Sequence, residues 1–113
     1  MAFSITSEVN KDGSIATITM VGEVDSLTAR SFKHEIESVF QESEKLGDLK
    51  DLVLELDGLE FISSAGLRVL IFSKQSKPDA NIYFVKAKED ILDSLQKTGL
   101  MHSVTAVDEY PLP

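Results

Sequence analysis

The chain has 113 residues, 19 acidic against 11 basic side chains, a formal net charge of -8 and no cysteine. That length suits one domain with a real core and no second one. The acidic excess argues against nucleic acid or an anionic membrane surface as the main partner. Without cysteine there is no disulfide, no thiol nucleophile and no thiolate metal site. The segment Met1 to Ser7 lacks a basic stretch followed by an apolar one, so no signal peptide is expected. No apolar run approaches the roughly 20 residues of a membrane-spanning helix, and a cytoplasmic domain is expected.

Phe3, Ile5 and Val9 alternate with polar neighbours, and Ile15 to Val21 is rich in β-branched residues. Asn10 to Gly13 between them is a hairpin signal, which predicts two antiparallel strands. Gly22 to Asp25 is expected to leave the sheet, with Asp25 or Ser26 capping a helix. Phe32, Ile36, Val39 and Phe40 give that helix an apolar face, opposite Lys33, Glu37 and Gln41, and it should fade near Gly47. Leu52 to Leu56, apolar at four of five positions, reads as a strand buried on both faces. After the Asp57-Gly58 turn signal, Leu67, Leu70 and Ile71 recur at helical spacing, with Lys74 closing the row at solvent. Pro78 should stop that helix.

Ile82 to Val85 predicts another strand, and Lys88 to Thr98 a helix with Ile91, Leu92 and Leu95 inward. Glu89 and Asp90 suit its positive start, and Gly99 the left-handed position past its end. Ser103 to Val107 is a short last strand, and Glu109 to Pro113 a loose tail. The order is β-β-α-β-α-β-α-β. The fold class is α/β: residues 1–113 form a single small domain, its mixed sheet built from an N-terminal hairpin followed by alternating helices and strands.

Ser63 and Ser64 fall where a loop enters a helix. The first turn of a helix has unpaired N–H groups and a partial positive charge, so a serine there either caps the helix or carries a phosphate. The residues alone leave open which serine does which. Gly66, in the first turn, costs about 1 kcal/mol relative to alanine, and a close approach of its backbone to another group would explain it. Phosphorylation would add about -1.5 to -2 charge at pH 7. A partner packed on this helix would have to bury that charge or leave, and burying it unpaired is costly.

Catalysis needs a constellation that is missing here. Ile62 stands where the first glycine of a G-x-S-x-G nucleophile elbow belongs. His34 and His102 are the two histidines and read as ordinary surface or part-buried residues. No H-x-x-x-H pair suggests zinc, and no glycine-rich phosphate loop is present. Neither a metal, a cofactor nor an enzymatic activity is expected.

Three motifs carry a resemblance that covers nearly the whole chain: Gly22 to Ala29 (G-E-V-D-S-L-T-A), Leu56 to Leu70 (L-D-G-L-E-F-I-S-S-A-G-L-R-V-L) and Leu95 to Leu100 (L-Q-K-T-G-L). The sequence resembles the STAS domains of bacterial anti-sigma factor antagonists. The resemblance implies a small STAS-type α/β fold and partner switching that regulates transcription. The unphosphorylated antagonist binds an anti-sigma factor, commonly a serine kinase of the histidine-kinase-like ATPase type. Phosphorylation ends the interaction, and a PP2C-type phosphatase reverses it. The family pattern D-S-[ST]-G-L places the acceptor at Ser64, with Ser63, where the family often has aspartate, as second choice. It implies a partner-binding face of Asp25, Ser63, Ser64, Gly66 and Arg68. The alternatives are a STAS scaffold or regulatory subunit of a transporter or sensor complex with no switch, and, from another class, a serine hydrolase or small-ligand binder.

Overall fold

β1 (Ser4–Val9) and β2 (Ile15–Val24) form the expected antiparallel hairpin. Its turn is held by side chains: Asn10 Oδ1 accepts the Ile15 N–H at 3.0 Å and Asp12 Oδ1 the Ser14 N–H at 3.0 Å. This computed structural model describes residues 2–111; Met1, Leu112 and Pro113, and with them the last two positions of the expected loose tail, lie outside the described residues. The remaining elements are α1 (Thr28–Leu46), β3 (Asp51–Glu55), β4 (Leu59–Ile62), α2 (Ser64–Ser76), β5 (Asn81–Val85), α3 (Glu89–Lys97), a short 3-10 turn (Leu100–Ser103) and β6 (Thr105–Val107).

The sheet runs β1-β2-β3-β5-β6, with β4 paired to β2 alone; every pairing except the hairpin is parallel. Two features of the sheet correct the sequence reading. Gly22 to Val24 do not leave the sheet, because β2 continues to Val24 and pairs there with β4, a strand the sequence did not suggest. Four residues after a turn signal are too few for a period to separate strand from loop. Gly22 makes the extension possible. Its φ of 99° and the bulge beside it turn the end of β2 from β3 towards β4, and a Cβ there would come within 2.7 Å of the Ala2 carbonyl.

The core lies between the sheet and the helices and is built around Phe32, Ile36, Ile18, Leu52, Leu54, Leu70, Phe84 and Leu95. α1 packs on β1, β2 and α2, whereas α3 packs on β4. α2 is rotated relative to expectation. Its buried residues are Gly66, Leu67, Val69, Leu70 and Ser73, while Ile71 is 41% exposed. Lys74 does not end at solvent either, as its half-buried amine donates to the Ala80 carbonyl at 2.8 Å. The bare backbone of Gly66 sits against Val24 and Ile62. That contact places Leu70 and Ser73, four and seven residues on, along the same inward face and turns Ile71 away.

β3 is buried on both faces, as its composition implied, with Val53 opposite the core in register with Tyr83. The tail is not loose at Tyr110. Its ring lies 5.3 Å from that of Tyr83, and its hydroxyl donates to Asp51 Oδ2. Burial first, then the hydrogen bond to Asp51 and that carboxylate's charge, push the Tyr110 phenol up to about 12. The folded-state value is raised, so this contact stabilises fully below the ordinary value of 10.0 and is lost as pH climbs towards about 12. Ultraviolet titration should show a late ionisation for Tyr110, and Tyr110→Phe should remove it and flatten the alkaline fall in stability over that window.

Candidate functional site

β2 and β4 end side by side, with Val24 in register with Ile62, and the Ser63 N–H donates to the Val24 carbonyl at 2.7 Å. The connections from these strands to α1 and α2 therefore emerge next to each other. The first is locked by a reciprocal pair. Asp25 Oδ1 accepts the Leu27 and Thr28 N–H groups at 3.0 and 2.9 Å, while the Thr28 hydroxyl accepts the Asp25 N–H at 2.8 Å. This is the logic of a capping box. Hydrogen bonds from the Thr28 amide and hydroxyl, with that of Leu27, hold the exposed Asp25 carboxyl below the usual aspartate range. Its contribution to folding is thus present above the ordinary carboxylate range and fades as pH falls through the lowered value.

The second connection separates the two serines. Ser63, extended at φ -83° and ψ 173°, is the N-cap of α2: its hydroxyl accepts the Gly66 N–H at 3.3 Å and its carbonyl the Leu67 N–H at 3.0 Å. Ser63 is half-buried, whereas Ser64, the first helical residue, is exposed. Gly66 is buried beneath them, where a Cβ would lie 2.6 Å from Ile62 Cγ1 and 2.7 Å from Val24 Cγ1. Its place in the site is to bring the helix start down onto the strand ends.

Two large apolar side chains flank these connections in solvent: Leu27, 73% exposed, and Phe61, 48% exposed. Beside Ser64, a groove of about 240 Å³ runs between α1 and α2. Ala29, Ala65, Val69 and Phe72 give it an apolar lining, and Arg30, Lys33 and Arg68 supply cations. Lys33 Nζ stands 4.9 Å from the centre of the Phe72 ring. Among the described residues, no acidic side chain lines the groove. In a chain with 19 acids, that makes it a basic, partly apolar spot on an otherwise acidic molecule.

The structure thus gathers Asp25, Ser63 and Ser64 at the strand ends, with Gly66 beneath and Arg68 one helical turn along α2. Leu27, Phe61, Arg30 and Lys33 were not singled out from sequence. A signal for the last two was present: positions 26, 29, 30 and 33 and positions 65, 68, 69 and 72 share the i, i+3, i+4, i+7 spacing of one helix face. His34 and His102 are exposed and line neither the groove nor the start of α2. Among the described residues, no group of three or more His, Asp or Glu is placed to hold a metal ion, and no helix is long and apolar enough to cross a membrane.

Sheet order and site define a class: a small α/β domain with a parallel sheet extended by one hairpin, presenting an exposed serine at a helix start. The family model of the STAS domain matches residues 6–110, and the chain belongs to that family. Solved structures share the fold. An anti-sigma factor antagonist from Mycobacterium paratuberculosis superposes with a TM-score of 0.70 at 21% identity, over 95% of this chain and 88% of that one. The anti-sigma factor antagonist SpoIIAA in its unphosphorylated form gives 0.67 at 14% identity, over 96% and 89%. The Bacillus cell fate determinant SpoIIAA in its phosphorylated form gives 0.65 at 16% identity, over 96% and 93%. No curated protein matches the chain in sequence.

Proposed function

We propose that this STAS domain is a cytoplasmic anti-sigma factor antagonist switched by phosphorylation of Ser64. Unphosphorylated, it binds an anti-sigma factor that is also a serine kinase of the histidine-kinase-like ATPase type. Phosphorylated, it is released until a PP2C-type phosphatase restores the hydroxyl, and transcription follows the exchange of partners. The observation that carries this reading is the division of labour between the two serines. Ser63 is committed to capping α2, so its neighbour stands in solvent at the helix start. A dianion there is favoured by the helix dipole and leaves the fold in place. The exposed Leu27 and Phe61 and the α1–α2 groove offer the apolar contacts that a protein partner needs. The names of the solved relatives, one of them a phosphorylated form, point the same way.

The test is incubation with candidate kinases of this type and labelled ATP, followed by phosphopeptide mapping across Phe61 to Arg68. Label is expected on Ser64; Ser64→Ala should lose it and Ser63→Ala keep it. Equal labelling of Ser64→Ala and the parent protein would remove Ser64 as the acceptor.

A further inference from the structure

Among the described residues, the ion pairs are Lys77–Glu44 and Lys88–Glu60. Arg30 and Arg68 therefore face each other's walls of the α1–α2 groove without a carboxylate partner. The acidic groups nearest in the chain are otherwise engaged: Asp25 by the amides of its own turn, Glu35 by the Ser7 hydroxyl and Glu60 by Lys88. Two unpaired guanidinium groups together are unusual in a molecule of net charge -8, and the groove they line includes Ala65, the residue after Ser64.

Helical side chains lean towards the N-terminus of their helix, so Arg68 covers the turn before its own Cα, the one holding Ser64 and Ala65. Ser64 and Arg68 are also four residues apart, the spacing at which an acid followed by a base pairs along a helix. We propose that a phosphate on Ser64 is held within the molecule by the Arg68 guanidinium, which leaves the α1–α2 groove to make a two-pronged contact with it. Arg30, on the opposite wall, adds charge at longer range. The proposal rests on the Ser64 reading for the position of the phosphate. It adds a second consequence of modification. The new anion is fixed in one place at the centre of the exposed face, and the groove loses one of its three cations.

The experiment uses the full chain with phosphoserine installed at position 64 during translation, so that no kinase is involved. Phosphorus NMR follows the second ionisation of the phosphate, ordinarily near 6. Arg68→Gln should raise it by about half a pH unit, roughly a threefold change in proton affinity. Arg68→Lys should fall between, since an ammonium keeps the charge and loses the fork, and Arg30→Gln should shift it less. The effect of the helix start is common to all of these proteins and cancels. Nitrogen NMR supplies a second readout: the Arg68 Nε–H should shift and become protected from solvent exchange when position 64 is phosphorylated. Identical phosphate titration in the parent and Arg68→Gln, or an Arg68 signal that ignores phosphorylation, would overturn the proposal. Arg68 is exposed, so these substitutions leave the core untouched. The outcomes stay separable from the kinase assay, because Ser64 can be labelled without a clamp, and a clamp can be measured on a phosphate that no kinase added.

Discussion

Phosphoserine at position 64 should weaken binding to the proposed anti-sigma factor partner by about 100-fold or more, a loss of about 2.7 kcal/mol. Ser64→Asp should fall in the same direction with a smaller loss, and Ser64→Ala should bind like the parent and resist being switched off. The reason lies in what surrounds the hydroxyl. Leu27 lies on the connection from β2 to α1 and Phe61 near the end of β4, both exposed, and the partner proposed to dock there covers Ser64 with them. A neutral hydroxyl is easily accommodated in such a contact, but a phosphate brings nearly two charges, more than one arginine offsets, and burying the remainder unpaired costs several kcal/mol. Aspartate carries one negative charge, phosphoserine nearly two. The fold itself should tolerate both, because an anion at the first position of α2 meets the positive end of the helix. Calorimetric titration with the partner measures the affinity, and thermal unfolding of the free variants shows that the loss is one of binding. Tight binding of the phosphorylated protein would break the masking argument.

Gly66→Ala should destabilise the domain by about 1–3 kcal/mol, lowering the unfolding temperature by roughly 5–15 °C. In an ordinary helix the same change stabilises by about 1 kcal/mol, so the sign is the test. The added methyl would lie 2.6 Å from Ile62 Cγ1 and 2.7 Å from Val24 Cγ1. Both neighbours are β-branched residues in paired strands, stiff about their first side-chain torsion, and both are buried. Neither is the free end of a flexible chain. Relief requires α2 to lift at its first turn or the ends of β2 and β4 to part, and either movement displaces Ser63 and Ser64. Denaturant and thermal unfolding measure the stability, and partner affinity should fall along with it. An alanine variant as stable as the parent would mean that the start of α2 is seated less closely on the strands.

Much of this was legible without coordinates. The hairpin at Asn10 to Gly13, the inward faces of α1 and α3, the doubly buried β3 and the left-handed Gly99 (φ 78°) all follow from local chemistry. So does the serine pair at a helix start, since capping preference and a glycine out of place sit within four residues of each other. The features that were missed depend on residues far apart in the chain. β4 is too short to show a period, and it exists because the bulge at Gly22 delivers the end of β2 to it. The outward turn of Ile71 reflects how Gly66 is seated on Val24 and Ile62, which the spacing of apolar residues within α2 does not encode. Tyr110 is tied down by Asp51 of β3 and Tyr83 of β5, both far outside the span of a local sequence pattern.

By itself the sequence determined the class of fold, the order of its elements apart from β4, and the pair of serines at the start of α2, because turns, caps and helix faces are specified by neighbours a few residues away. Only the tertiary structure decided which serine is the cap and which stands free, and that Arg30 and Arg68 share a groove beside it. Those assignments depend on backbone angles and on the packing of one helix against another, and each is set by contacts between segments that meet only after the chain has folded.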